Sequence, residues 1–339
     1  MKRLRVGLNG FGRIGRSFAR ISFEKDLFDI VLINTRKTQS DMLAYLLRYD
    51  TVYGRFKKEV KFEKDSLIID NKKIKTNLSD SIENIPWDKE NINVVVDATG
   101  AFKKSEELKK HIKGSVKKVI LTAPSKDDET PHLVLGVNDK NFDFTNSTII
   151  SNCSCTTNCA AVMFKVLDDF SKVKSGFLTT VHAYTSSQAL IDDAGKDFSK
   201  SRAAALNIIP STTGASKAIA KVLPQLSGKI EGMALRVPVP IVSFTDISCF
   251  VERETTIEEI NKLFKEQSQS NLKSVLGYGE NSLVSSDFIG SEYSCIFDAN
   301  HTKIIDKNFV KITGWYDNEW GYSARLVDLV AKLAEYIKN

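Results

Sequence analysis

The run Asn9-Gly10-Phe11-Gly12-Arg13-Ile14-Gly15 constrains this chain more than any other. It follows a short β-prone segment, Leu4 to Leu8, and leads into the helix-compatible stretch Arg16 to Ile21. Strand, glycine turn and helix in that order open a dinucleotide-binding unit. Gly10 permits the tight turn, Gly12 lets backbone approach a pyrophosphate, and Gly15 allows close helix packing, with the helix N-terminus facing the negative charge. A glycine turn without a ligand is the competing reading of the motif alone.

The segments that follow extend the same pattern. Ile30-Val31-Leu32-Ile33 reads as the next parallel strand, and Ser40 as the N-cap of a helix running to Leu47. Alternation from Phe56 to Lys75, turning at Asp70-Asn71, predicts a hairpin inserted into the α/β pattern. Val94-Val95-Val96 and Val119-Ile120-Leu121 are apolar runs expected of strands covered on both faces, flanking a helical stretch from Ser105 to Ile112. Thr148-Ile149-Ile150 adds one more strand. Beyond it come long strand-like segments, Phe177 to Ala183, Gly232 to Val239 and Ile241 to Glu252, with helices near Thr213 to Leu223 and Ile257 to Gln267. That is an α+β signature with an antiparallel or mixed sheet. Ser323 to Ile337 is helical by its apolar spacing and is expected to pack back on the first domain.

The fold class is therefore α/β. Residues 1–153, with a C-terminal helix over about 319–339, form a Rossmann-type NAD(P)-binding domain with a parallel sheet, and residues 154–318 form an α+β catalytic domain. The length of 339 residues suits about two domains, and 42% hydrophobic with 27% charged residues excludes disordered and low-complexity classes. The net charge of +6 suits an anionic small molecule as well as it suits RNA. The five cysteines, Cys153, Cys155, Cys159, Cys249 and Cys295, are odd in number and contain no CxxC pair, so neither a disulfide framework nor a metal site is expected. With no apolar run of signal or membrane-spanning length, the sequence reads as cytoplasmic.

Several positions can carry chemistry. The site where the dinucleotide fingerprint expects a ribose-binding acid holds Thr35, after Asn34 and before Arg36-Lys37, which is the NADP pattern, with a site that tolerates both cofactors as the alternative. Cys155 stands at the start of an apolar helix, where the helix dipole favours a nucleophilic thiolate; taken alone, a cysteine is more often a small buried hydrophobe. His182 closes a strand and gains weight as a proton-transfer partner for Cys155. Pro210-Ser211-Thr212-Thr213-Gly214 precedes a helix and offers phosphate donors, while Arg236 interrupts an apolar strand with a guanidinium; a capped helix and a snorkelling arginine are the plainer readings. His111, His132 and His301 read as surface or structural.

Taken together, these residues resemble phosphorylating glyceraldehyde-3-phosphate dehydrogenases. The match runs from Asn9-Gly10-Phe11-Gly12-Arg13-Ile14-Gly15-Arg16 through Ser151-Asn152-Cys153-Ser154-Cys155-Thr156-Thr157-Asn158-Cys159 to Trp315-Tyr316-Asp317-Asn318-Glu319-Trp320-Gly321-Tyr322. The resemblance implies Cys155 as nucleophile and His182 as base. It implies one phosphate site lined by Ser154, Thr156, Thr213 and Gly214, a second lined by Thr185 and Arg236, and cofactor contacts at Thr99, Gly100, Phe102, Thr122 and Asn318. It further implies a phosphorylated aldehyde and inorganic phosphate as substrates, and a homotetramer.

The sequence departs from that family at Thr35, where NAD-specific members usually carry Asp, and at Asp193-Ala194, which aligns with a Leu-Pro pair; both resemble NADP-accepting members. Asp80 replaces an arginine that often grips the adenosine end, and the Arg-rich run is thinned to Ser199-Lys200-Ser201-Arg202. Two rivals remain. Erythrose-4-phosphate dehydrogenase releases its thioester to water, against which the Thr212-Thr213-Gly214 segment argues. A non-catalytic dinucleotide-sensing or RNA-binding protein would draw on Lys103-Lys104, Lys109-Lys110, Lys113 and Lys117-Lys118, which read instead as an exposed helix face.

Overall fold

A computed structural model describes residues 3–195 and 197–337. Two units emerge: Met1–Leu133 with Asn141–Cys153 and Ser323–Asn339, and Val134–Lys140 with Ser154–Tyr322. Residues 1, 2, 338 and 339, which fall within the expected first-domain bounds, lie outside the described residues. Val134–Lys140 groups with the second unit, where Gly136 abuts Leu272 and Val275.

In the first unit the chain forms β1 (Arg5–Asn9), α1 (Arg13–Lys25), β2 (Asp29–Thr35), α2 (Ser40–Arg48), β3 (Val60–Glu63), β4 (Ser66–Ile69), β5 (Lys72–Leu78), β6 (Val94–Asp97), α3 (Ser105–Leu108), β7 (Lys118–Leu121) and β8 (Ile149–Ser151). The sheet order is β3-β4-β5-β2-β1-β6-β7-β8. β1 lies between β2 and β6, parallel to both, so the chain leaves β1 toward one side and later fills the other. That reversal is the topological switch point at which open α/β sheets bind ligands. Val94, Val95 and Val96 on β6 are fully buried, and Val95 shares a core cluster with Trp87, Ile92, Leu108 and Val119, as expected of a strand covered on both faces.

The Asp70-Asn71 turn forms as predicted, both residues taking left-handed φ of 45° and 65°. The hairpin is more than an insertion, because β5 pairs in parallel with β2 and so extends the sheet. Ser40 does not cap α2. Gln39 is the N-cap, and the Ser40 hydroxyl instead bonds the Lys64 carbonyl at 3.0 Å and Thr76 Oγ1 at 2.8 Å, tying the helix to the hairpin. Lys118 is also not on an exposed face. It is buried in β7 and its ammonium donates to the carbonyls of Phe144, Thr145 and Ser147 at 2.7–2.8 Å, matching its three protons.

The second unit contains α4 (Cys155–Ser171), β9 (Val173–Ala183), β10 (Ile209–Thr212), α5 (Ala215–Val222), β11 (Ile230–Val237), β12 (Ser243–Val251), α6 (Ile257–Gln269), β13 (Leu276–Gly279), β14 (Cys295–Asp298), β15 (Lys303–Ile305) and β16 (Phe309–Tyr316). The order β10-β11-β9-β12-β16-β14-β13 is a mixed sheet, with β9 parallel to β11 and antiparallel to β12. β12 starts at Ser243, later than predicted, because Val242 holds φ +69°, a strained value for a β-branched residue. Along β9, Leu178, Thr180 and His182 alternate onto the buried face. α7 (Trp320–Leu333) starts within the expected 319–339 span, ahead of the apolar repeat from Ser323, where the Asp317 carboxylate accepts the N–H groups of Glu319 and Trp320.

The Lys118 arrangement yields a stability prediction. Lys118→Met keeps the apolar stem but strips one buried and two partly buried carbonyls of their shared donor, costing about 2 kcal/mol. Chemical denaturation compared with the parent protein checks this; a loss below about 0.5 kcal/mol would contradict the contacts.

Candidate active site

The first unit holds a cavity of about 650 Å³ at the switch point. Of the residues expected to contact a cofactor, Gly10, Phe11, Gly12, Asn34, Thr35, Arg36, Thr99 and Phe102 line it, while Arg13, Ile14, Gly15, Gly100 and Thr122 do not. Arg13 turns to the Asp50 carboxylate and lies over the Tyr53 ring. Gly10 has φ +94°, and a Cβ there would meet the Ala98 carbonyl group at 2.8 Å; a Cβ on Gly15 would stand 2.3 Å from the Gly10 oxygen. The turn is thus closed to any side chain, whereas Gly12 faces open space. A glycine cradle at the N-terminus of α1 fits a dinucleotide pyrophosphate.

Beneath this cavity a buried polar chain joins the strand ends, a feature the sequence reading missed. Asn77 Nδ2 donates to Asn34 Oδ1 (2.8 Å), Asn34 Nδ2 to Asn9 Oδ1 (2.8 Å), and Asn9 Nδ2 to Asp97 Oδ2 (2.9 Å). His111 Nε2 lies 3.1 Å from the same carboxylate, and its Nδ1 accepts the Trp87 indole N–H at 3.0 Å. Since Nδ1 accepts, Nε2 carries the proton that Asp97 receives. The other carboxylate oxygen takes the Thr99 N–H and hydroxyl. A carboxylate closing an apolar run at Asp97 was the available signal.

In the second unit, Ser154 caps α4 by accepting the Thr157 N–H at 3.1 Å, which sets Cys155 at the first helical position. Cys155 Sγ lies 3.5 Å from His182 Nε2. β11 pairs with β9 so that Arg236 is the register partner of His182, and Arg236 Nη1 reaches His182 Nδ1 at 2.6 Å and the Ala183 carbonyl at 2.9 Å. No carboxylate among the described residues pairs with Arg236, and its buried Nε has no partner there. Tyr316, also missed from sequence, stands edge-on to the His182 ring and bonds the hydroxyls of Thr156 (2.9 Å) and Thr180 (2.8 Å).

Opposing electrostatic influences meet at this pair. Burial pushes the Cys155 thiol up to about 11, against the lowering pull of the Arg236 charge and of Thr156. Burial, reinforced by Arg236, holds the His182 imidazole down at about 3. Burial thus opposes the charged form of each group, while the helix dipole and the Arg236 charge favour the thiolate. At 3.5 Å, Nε2 and Sγ can exchange a proton as sulfur attacks a carbonyl carbon.

The remaining expected site residues are not drawn into hydrogen-bond contact with this trio. Thr213 Oγ1 accepts the Ala215 N–H at 3.2 Å beside the exposed Gly214, which is the N-cap of α5, and Thr185 Oγ1 bonds Ser187 Oγ at 2.8 Å. Asn318 Oδ1 accepts from Ser243 Oγ at 3.1 Å, and that same oxygen of Ser243 accepts the Ala183 N–H. Among the described residues no group of His, Cys, Asp and Glu is arranged to hold a metal ion.

A dinucleotide cradle in one unit and a thiol–imidazole–guanidinium cluster in the other define a nicotinamide-dependent, thiol-bearing oxidoreductase. Residues 4–105 match the family model described as glyceraldehyde 3-phosphate dehydrogenase, NAD binding domain, and residues 154–318 match that of the C-terminal domain. The chain is 47% identical over 327 residues to glyceraldehyde-3-phosphate dehydrogenase 2 of Streptomyces avermitilis, covering 96% of this chain and 97% of that one. It is 44% identical over 333 residues to glyceraldehyde-3-phosphate dehydrogenase 3 of Saccharomyces cerevisiae, covering 98% and 99%. The chain belongs to the glyceraldehyde-3-phosphate dehydrogenase family.

The shifted thiol predicts a pH profile. Alkylation of the cofactor-free protein by iodoacetamide should fall first on Cys155, since the other four cysteines are buried, and its rate should keep rising past pH 9. Arg236→Gln removes a charge that favours the thiolate and should move the profile to still higher pH. A rate plateau below pH 7, read by peptide mapping of the adduct, would contradict both.

Proposed function

We propose that the protein catalyses the reversible phosphorylating oxidation of D-glyceraldehyde 3-phosphate to 1,3-bisphosphoglycerate. The observation that carries this is the Cys155 sulfur 3.5 Å from His182 Nε2 beside an Arg236 that pairs with no carboxylate among the described residues. As the sulfur adds to the aldehyde carbon, its proton passes to His182 Nε2, and the carbonyl π pair moves to oxygen. The imidazolium returns that proton to the oxygen, giving a thiohemiacetal on Cys155. The oxygen where charge develops lies near the Cys155 backbone N–H, at the positive end of α4, and His182. His182 then takes the hydroxyl proton as the carbon is oxidised to a thioester. When bound, the nicotinamide supplies the hydride acceptor for that oxidation. A phosphate oxygen next attacks the acyl carbon, and the sulfur leaves with the proton held on His182.

Arg236 and Thr185 hold the substrate phosphate, while Ser154, Thr156, Thr213 and Gly214 receive inorganic phosphate. Thr35, Arg36 and Lys37 set cofactor choice. Thr35 Oγ1 is engaged with the Thr38 carbonyl at 2.9 Å, and the exposed Arg36 and Lys37 line the cavity. That balance favours acceptance of NADP beside NAD, with Asp80 on the same wall opposing it. Domain 1–153 with its C-terminal helix binds the dinucleotide and 154–318 carries the chemistry.

Assembly as a homotetramer is supported by the apolar side chains that the 190–208 segment leaves uncovered, among them Phe198 at 95% and Leu190 at 84% exposure. A cytoplasmic location accords with five unpaired cysteines, and among the described residues no helix is long and apolar enough to cross a membrane. Burial of Lys118 removes one cation from the lysine group that an RNA-binding reading would need.

Initial rates with each cofactor, with and without inorganic phosphate, test the proposal. Steady turnover should require phosphate, and Thr35→Asp should lower the NADP/NAD efficiency ratio at least ~10-fold by placing a carboxylate against the 2′-phosphate. Full turnover in phosphate-free buffer with erythrose 4-phosphate as the better substrate would favour the hydrolytic rival. An unchanged cofactor ratio would remove Thr35 and Arg36 from the specificity assignment.

A further inference from the structure

Four polar side chains at the carboxyl ends of β5, β2, β1 and β6 stand in one row, because the parallel registers pair Asn77 with Asn34, Asn34 with Asn9, and Asn9 with Asp97. This is the sheet edge at which open α/β folds bind ligands. Hydrogen-bond direction along the row is settled from both ends. The Ser79 carbonyl only accepts, so Asn34 presents Nδ2 to it at 3.0 Å and to Asn9 Oδ1 at 2.8 Å. Asn9 is left with Nδ2 as a donor toward Asp97. From the other side the Trp87 indole only donates, which leaves His111 Nδ1 bare and points Nε2–H at the same carboxylate oxygen. The Thr99 hydroxyl accepts the Ala101 N–H at 3.1 Å and gives its own proton to the second oxygen, 2.6 Å away. With the Thr99 N–H, four donors of fixed direction converge on the fully buried Asp97.

We propose that Asp97 is a positioning residue for the dinucleotide: as the acceptor on which the row converges, it holds Asn9 before Gly10, Asn34 before Thr35, and Thr99 in the mutual placement that the cofactor requires. This rests on the dinucleotide occupying the first-unit cavity. Asn9, Gly10, Asn34, Thr35 and Thr99 line that cavity whereas Asp97 does not, so Asp97 acts through them. An amide of the same shape cannot replace it. With its oxygen toward Thr99, its Nδ2 would confront the Asn9 and His111 donors. Turning the Asn9 amide would turn Asn34 as well and set Asn34 Oδ1 against the Ser79 oxygen, and moving the His111 proton to Nδ1 would set it against the Trp87 N–H. With its Nδ2 toward Thr99, it would confront a backbone N–H that cannot invert. The segment after β6 would then shift, and its Ala98 and Thr99 backbone lies 2.8 Å from where a Gly10 Cβ would stand. Each arrangement leaves a buried donor without an acceptor or displaces a wall of the cradle. Charge alone argues the opposite sign, because a carboxylate beneath an anion-binding turn repels a pyrophosphate, and neutralising it would tighten binding.

The test is titration calorimetry of the full-length protein and its Asp97→Asn variant with NAD and with ADP, which carries the adenosine ribose and the pyrophosphate but no nicotinamide. Thermal melting confirms that each chain is folded. Asp97→Asn should raise the Kd of both ligands at least ~10-fold and to a similar extent. His111→Leu keeps the carboxylate and removes one of its donors, so it should raise both about 3-fold, and it supplies the comparison should Asp97→Asn not fold. A lower melting temperature with unchanged affinities would make Asp97 a merely structural residue and overturn the proposal. Tighter ADP binding would overturn it in favour of simple charge repulsion, and a loss confined to NAD would overturn it by moving the effect to the nicotinamide half. Absence of saturable ADP binding by the parent protein would instead overturn the dinucleotide reading of the cavity itself.

Discussion

The parallel pairing of β9 with β11 fixes the electrostatics of the thiol site. It makes Arg236 the register partner of His182, and so holds a guanidinium with no paired carboxylate among the described residues 2.6 Å from the imidazole. That one charge favours the Cys155 thiolate and disfavours the His182 imidazolium, while burial disfavours both charged forms. Chemistry at this pair depends on a proton passing between sulfur and Nε2. A charge left without a counter-ion inside a fold costs stability unless a ligand completes it, which makes Arg236 the most informative residue in the second unit.

A different device organises the first unit. Its cavity sits where the strand order reverses around β1, and the ends of β5, β2, β1 and β6 are tied by side chains as well as by backbone. Every member from Asn77 to Trp87 has a defined partner, so the floor under Gly10 and Thr99 is rigid before any ligand arrives. The glycine turn is equally determined, since Gly10 and Gly15 leave no space for a Cβ.

Much of this was legible in the sequence because it rests on local pattern. The glycine turn after β1, the buried valines of β6 and the Asp70-Asn71 turn each follow from spacing or from residue type at a single turn. Cys155 and His182 were legible through their sequence surroundings. What escaped depends on pairing between distant segments. Nothing local to Lys118 announces that three carbonyls from 144–147 will surround it, and Ser40 looks like a cap until the hairpin supplies Lys64 and Thr76. Tyr316 was visible only as part of a motif, its role appearing once β16 lies two strands from β9. The raised thiol escaped for a related reason, because helix position can be read locally whereas desolvation belongs to the whole fold.

The account turns on covalent catalysis through Cys155, and the most direct test is intact mass spectrometry of the protein mixed with glyceraldehyde 3-phosphate and cofactor in phosphate-free buffer. One acyl adduct per chain should form on Cys155 in step with a single stoichiometric burst of reduced cofactor, and inorganic phosphate should discharge it. A burst with no adduct, or an adduct mapped to Cys159, Cys249 or Cys295, would contradict the account.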